Sequence, residues 1–316
     1  MSQLIVGVDT TTGDVGTSPD LGLSWGYETA ASGETLYGID ISKDGSKITA
    51  CAFGGHIWTK SGGLWTSRDI ARNWFRNKMS ANGVIQVAIV YGGYVYVSTD
   101  SGATWTPCLG ASPPGVAGVA DWHGVDISAD GTKIVVCAYT GGGLWRSDDS
   151  GATWASLGTP AGPNPADVAI SNDGVYITIC GAGPGQCYSS QDSGATFGIF
   201  SSIADAWLGV KMSDSGQYQT AIGYSAPNIA WGVFSINYGV TSFAVTFDTG
   251  PLGTPYDVTM NDDGTIQFCG FYGGPVYKSV DYGANFIKQV LDANVFGAIA
   301  ISEPLLLHEI TQAIFI

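Results

Sequence analysis

Residues 98–105 read STDSGATW, residues 147–154 SDDSGATW and residues 190–197 SQDSGATF, three nearly identical octapeptides in a chain of 316 residues. Four looser copies complete the set: SPDLGLSW (18–25), KSGGLW (60–65), SINYGVTSF (235–243) and SVDYGANF (279–286). Their closing aromatics, Trp25, Trp65, Trp105, Trp154, Phe197, Phe243 and Phe286, lie 40, 40, 49, 43, 46 and 43 residues apart. A period of this length is that of a four-stranded propeller blade.

A second motif keeps step with the first. It reads IDISKDG (39–45), NKMSANG (77–83), VDISADG (125–131), VAISNDG (168–174), VKMSDSG (210–216), VTMNDDG (258–264) and, without the turn, IAISEP (299–304). Apolar–polar alternation marks a strand, and Asp-Gly or Asn-Gly between two such runs predicts a tight hairpin whose two central residues both have φ > 0. The expected blade is therefore strand, turn, strand, Gly-rich reversal, strand, octapeptide turn, strand. Seven copies of each motif predict an all-β chain, a single seven-bladed β-propeller of four-stranded antiparallel blades over residues 1–316. The first octapeptide lacks an inner strand before it and the last inner strand lacks an octapeptide after it, so pairing IAIS with LIVGVD closes the ring and removes an open sheet edge. Residues 305–316 are expected to add a terminal strand.

The composition narrows the partners. With 12 Lys and Arg against 27 Asp and Glu, a net charge of −15, the chain lacks the cations that nucleic-acid binding draws on. Its apolar runs fall short of the roughly 20 residues that span a bilayer, so membrane insertion is not expected. The start, MSQLIVGVDTTTG, has no basic segment followed by an apolar one, which predicts no signal peptide and a cytoplasmic or virion- or phage-associated location. Cys51, Cys137, Cys180 and Cys269 occupy matching places in successive apolar runs (ITACAF, IVVCAY, ITICGA, IQFCGF). Equivalent positions in different blades are too far apart to bridge, so all four are expected as buried free thiols.

The octapeptides resemble the Asp-box or BNR repeat, S-x-D-x-G-x-T-W, of sialidase-like, xyloglucanase-like, sortilin-like and photosystem II assembly-like propellers. The resemblance implies a folding element on the face away from any active site, with the Asp tying its turn to backbone N–H groups and the aromatic packed between sheets. Asp20, Asp100, Asp149, Asp192 and Asp281 are therefore assigned to structure, and Trp105 and Trp154 are expected as buried wedges.

No catalytic residue is nominated. A sialidase-like site needs three arginines from separate blades, whereas Arg68, Arg72 and Arg76 lie within nine residues of one another and only one more arginine exists. His56, His123 and His308 stand isolated, with no Cys-x-x-Cys or His-x-His pair, so no metal is expected; no phosphate loop is present, and no cofactor is expected. The expected function is a non-catalytic binding or structural propeller, a recognition or decoration module of a virus, phage tail or cell-surface assembly, with glycan binding its most specific form. The alternative is a glycoside hydrolase of sialidase-like or xyloglucanase-like type, which would bring two carboxylates to within about 5–10 Å in an axial pocket.

The partner, protein or glycan, is expected on the face where chains enter the inner strands and make their Gly-rich turns. Aromatics gather there: Tyr37, Trp74, Trp122, Trp207, Tyr256 and Phe296 before the inner strands, and Phe53, Tyr91, Tyr139, Tyr224 and Tyr272 at the turns. Alignment of the inner strands sets Asp40, Lys78, Asp126, Ala169, Lys211, Thr259 and Ala300 in one ring around the axis, with Arg76, Asp167 and Asp257 a step nearer the mouth. These polar residues are expected to floor a pocket rimmed by Trp74, Trp122 and Trp207.

Overall fold

The computed structural model describes residues 3–9, 12–31, 33–108, 120–140, 143–158, 164–183, 185–225, 229–247, 254–272, 275–289 and 296–303. No helix occurs among them, and the chain is an all-β propeller. The proposed terminal strand at 305–316, His308, and the side chains of Tyr272 and Phe296 lie outside the described residues.

The third blade gives the pattern. Its inner strand Ala120–Ile127 pairs antiparallel with Ile134–Ala138, which pairs with Gly143–Ser147, which pairs with Ala155–Gly158. Among the described residues seven inner strands lie in Thr35–Ile41, Leu64–Met79, Ala120–Ile127, Pro165–Ile170, Gly198–Met212, Thr254–Met260 and Phe296–Ile301. Each packs on the next, and the seventh packs on the first, closing the ring. The seventh blade is shared by the two chain ends, with Ile301 opposite Ile5 and Ala300 opposite Val6.

Two turn chemistries recur around the ring. In six octapeptides two successive residues adopt left-handed backbone, as at Ser101 (φ 62°) and Gly102 (φ 79°). Ser98 Oγ holds that turn by accepting the Gly102 N–H at 2.9 Å, while Asp100 accepts the N–H and hydroxyl of Thr104 at 2.8 and 2.6 Å. Asp20, Asp149, Asp192 and Asp281 make the same bonds to residues four positions on, and Asn237 substitutes for Asp in the fifth blade. KSGGLW departs from the set: Ser61 pairs directly with Leu64 across Gly62 (φ 60°) and Gly63 (φ 86°), a plain two-residue hairpin.

The inner turns are longer than the sequence predicts. Ile41 pairs with Ile48, so six residues intervene, and among them only Gly45 has φ > 0. A serine replaces the tight-turn geometry: Ser42 Oγ accepts the Lys47 N–H at 3.0 Å, and the Gly45 N–H reaches Ser42 O at 2.8 Å. These turns also link the blades at the axis. The N–H of Lys43 bonds Ala81 O, and the chain of bonds continues through Ala129, Asn172 and Asp214 to Asp262 O. The Glu303 side chain then accepts the Asp262 N–H at 2.6 Å and its own N–H reaches Lys43 O at 2.8 Å, which completes the circuit.

Trp105 and Trp154 are half-buried rather than fully enclosed. Cys51, Cys137 and Cys269 are buried free thiols, but Cys180 is not free. It is bonded to Cys187, its direct cross-strand neighbour within the fourth blade at a Cα–Cα distance of 4.1 Å. Blade spacing excludes bridges between blades but not one to the adjacent strand of the same blade.

Candidate functional site

The axis is lined in layers set by the alternation of the inner strands. The layer nearest the inner turns holds Asp40, Lys78, Asp126 and Lys211. Lys211 Nζ lies 3.2 Å from Asp126 Oδ2. Burial works against the Lys78 charge, yet Asp40, Asp257, Asp126 and Asp167 outweigh it and hold its pKa above the ordinary value. Burial raises Asp40 against the pull of Lys78 and Lys211.

The next layer places Arg76 between two carboxylates, with Nη1 at 3.7 Å from Asp167 Oδ2 and 3.8 Å from Asp257 Oδ1. Arg76 Nη2 donates to Leu208 O at 3.4 Å. Burial pushes the Asp167 carboxyl up to about 6 despite Arg76. Gly38 and Gly124 are required in this layer, because a Cβ at either would press on a buried cysteine sulfur (Cys51 at 2.9 Å, Cys137 at 2.7 Å) and on the backbone of the next blade.

The aspartates also tie blade to blade. Asp40 accepts the Met79 N–H at 2.7 Å, Asp126 that of Ile170 at 3.0 Å, Asp167 that of Val210 at 3.1 Å and Asp257 that of Ile299 at 3.2 Å. In each case the acceptor sits on one inner strand and the donor on the next, so inner-strand N–H groups that no ladder reaches are satisfied. Asp167 and Asp257 do converge, as a hydrolase pair would. They converge on a guanidinium, however, and both are buried and bonded to backbone.

The tryptophans do not rim this axis. Trp74, Trp122 and Trp207 are 0 %, 1 % and 0 % exposed, and their indole N–H groups donate to Ile70 O, Gly93 O and Gly185 O. The cause is a β-bulge repeated in six inner strands, at Tyr37, Phe75, His123, Ala166, Leu208 and Tyr256, where the register shifts by one residue. A bulge reverses the face on which preceding side chains lie. Strict alternation carries Trp74 onto the axial face with Arg76 and Lys78; the bulge turns it back between blades.

An aromatic crescent forms at this mouth instead. Its rings run Tyr256–Tyr37 (6.4 Å between centroids), Tyr37–Phe75 (5.8 Å), Phe75–His123 (4.9 Å) and His123–Tyr139 (4.7 Å, stacked). Phe53 packs on Tyr37, Tyr91 packs on Phe53, Phe75 and His123, and these two rings are 38 % and 37 % exposed. The sequence pattern did not point to Phe75, and it marked His123 only as an isolated histidine, although each directly follows one of the buried tryptophans. His56 is not isolated either: its Nδ1 lies 2.5 Å from Glu34 Oε1, and Glu34 Oε2 accepts the Trp58 indole N–H at 2.8 Å.

A cavity of about 110 Å³ opens at the opposite end, among the inner turns, over Asp40, Lys78, Asp126 and Lys211. Its mouth carries Lys43, Asp214, Asp262 and Glu303, with Lys43 Nζ 3.2 Å from Asp214 and paired also to Asp262. Pockets for small-molecule ligands occupy roughly 300–1,000 Å³. Asp40, Lys78, Asp126 and Lys211 thus line a cavity at the inner-turn end, away from the aromatic mouth. Among the described residues no group of three or more His, Cys, Asp or Glu is arranged to hold a metal ion, and no helix is long and apolar enough to cross a membrane.

No protein-family model and no curated protein matches the chain. Solved structures do. The GH74 xyloglucanase of Xanthomonas campestris superposes with a TM-score of 0.65 at 14 % identity over 90 % of this chain and 52 % of its own, so the present chain spans about half the length of that enzyme. A chain of Kuenenia stuttgartiensis hydrazine synthase gives 0.63 at 15 % identity over 80 % of each. YCF48 bound to D1 peptide gives 0.61 at 14 % identity over 84 % of this chain and 83 % of its own. These are β-propeller neighbours and the likeness is one of fold.

Proposed function

We propose that the chain is a non-catalytic recognition propeller that binds glycan on the aromatic crescent at one mouth of its axis. The observation that carries this reading is the unbroken run of rings from Tyr256 through Tyr37, Phe75 and His123 to Tyr139, with Phe53 and Tyr91 open to solvent above it. Rigid amphipathic rings offer large contact area at low entropic cost and suit the C–H faces of sugar rings. The hydrolase alternative has less support, since Asp167 and Asp257 are each engaged by Arg76 and by a backbone N–H of the next blade. A peptide partner is the second reading, favoured by the fold neighbour YCF48, which is bound to D1 peptide. A glycan array probed with the purified chain and with Phe53→Ala and Tyr91→Ala tests the proposal. Binding that both variants weaken about tenfold or more supports it; glycan binding unaffected by either variant, or none at all, overturns it.

A further inference from the structure

We infer that the crescent selects uncharged glycans and rejects those bearing carboxylate or sulfate groups. The inference rests on the sugar-binding reading above and adds the charge class of the ligand. Anionic sugars are held by arginine or lysine side chains with donors to spare. The crescent has a guanidinium beneath it, since Arg76 lies 5.7 Å from the Tyr256 ring, but its charge is already over-matched. Asp167 and Asp257 flank one of its terminal nitrogens at ion-pair distance and Leu208 O takes the other; its Nε has no hydrogen-bond partner but is buried, so burial withholds that donor from a ligand at the surface.

Arg72, nearby on the same chain segment, lies over the Tyr96 ring at 4.9 Å and faces Asp69 at 3.7 Å. The one ring of the crescent able to gain a positive charge is His123. Burial, reinforced by Arg76, lowers its pKa to about 4 against the opposing pull of Asp121, so it is neutral at physiological pH. Glu34 is held ionised at the rim by the His56 and Trp58 N–H groups, which outweigh its partial burial. The surface thus offers apolar faces and hydroxyls over a net negative layer, in a chain of net charge −15. A neutral glycan meets no electrostatic barrier there, whereas an anionic one is repelled most strongly at low salt, where screening is weakest.

The full chain is titrated by calorimetry with cellohexaose, xylohexaose and mannohexaose, and with hexagalacturonate and a sulfated hexasaccharide, at about 20 and 150 mM salt. Expected is binding of at least one neutral hexamer at least about tenfold tighter than either acidic one, with a gap that widens at low salt. Thr140→Lys, on an exposed position beside Tyr139, should improve binding of the acidic hexamers and leave the protein folded. Acidic hexamers binding as tightly as neutral ones, with loss of that binding in Phe53→Ala, would overturn the charge selection while leaving the sugar-binding reading intact. Absence of binding by every hexamer, with no glycan captured on the array, would sink both.

Discussion

The hydroxyl of Thr178 in the fourth blade donates to Gln219 Oε1 in the fifth at 2.7 Å, and both side chains are buried. Gln219 Nε2 in turn donates to Gly216 O at 2.9 Å. The same bond joins Thr49 to Gln86 and Thr220 to Gln267 at 2.8 and 2.7 Å. At the other four blade junctions both equivalent positions are apolar and share a core cluster: Val87 with Ile134, Val135 with Ile177, Phe268 with Ile5 and Val6 with Ile48. No junction mixes a polar residue with an apolar one. A mixed junction would bury an unpaired amide or hydroxyl, at about 1–3 kcal/mol.

Thr178→Val should therefore cost about 1–3 kcal/mol, and Gln219→Leu a similar amount, while the double variant should recover much of the loss. Urea unfolding of the four proteins measures the coupling. Additive losses would show that the pair does not act as a unit.

Trp122→Ala should destabilise the fold by about 3–5 kcal/mol, since its ring is fully enclosed between blades. Phe53→Ala, on an exposed ring, should cost less than about 1 kcal/mol. Thermal melts separate the two classes, and a stable Trp122→Ala protein would place that ring outside the blade junction.

Asp126→Ala should be among the most damaging polar substitutions, at about 3–5 kcal/mol, because it strands Lys211 and frees the Ile170 and Ile127 N–H groups together. Asp126→Asn retains an acceptor and should cost less. Equal stability of Asp126→Ala and the parent in denaturant titrations would refute the role of this ring in joining blades.

Stability should peak in mildly acidic solution. Burial raises the pKa of Asp167 and of Asp214 to about 6, and Asp262 and Glu303 are raised beside Asp214. A carboxyl raised in the folded state binds protons more tightly than in the unfolded chain, so folding gains as pH falls from 7.5 toward 5 and loses as pH rises through 6. For Asp167 the linkage amounts to roughly 1–1.5 kcal/mol by pH 5 and about 3 kcal/mol only once pH falls below the unfolded carboxyl value. The octapeptide aspartates act oppositely: hydrogen bonds from the Thr104 side chain and backbone outweigh burial and lower Asp100, and those from Thr153 lower Asp149, so their contribution disappears as pH falls through their lowered pKa values. The melting temperature should be highest near pH 5 and fall on both sides in a scan from pH 3 to 8. A melting temperature that climbs steadily from pH 5 to 8 would contradict the assignment.

Much of the fold was legible because its signals are local. Ser98, Asp100 and Gly102 form their turn among residues a few positions apart, and the alternation in IDIS or VDIS marks a strand by itself. Repeated along the chain, such signals specify the blades, and the unmatched halves at the two ends specify the closure of Ile5 on Ile301. The inner turns were misjudged in detail, since an Asn-Gly or Asp-Gly pair looks alike in a two-residue hairpin and in the six-residue, serine-held turn at Ser42–Lys47.

The sequence by itself determined the repeat, the ring and the polar residues that line the axis, because each follows from backbone preferences and side-chain alternation within a few residues. Only the tertiary structure decided what faces the mouth. A one-residue bulge at Phe75 or His123 leaves no mark in composition, yet it sends Trp74 and Trp122 between blades and brings their neighbours to the axis. Likewise Thr178 and Gln219, 41 residues apart, become partners only when blades dock. Contacts of that range depend on how strands pack against one another, and a linear pattern of polar and apolar residues does not carry that geometry.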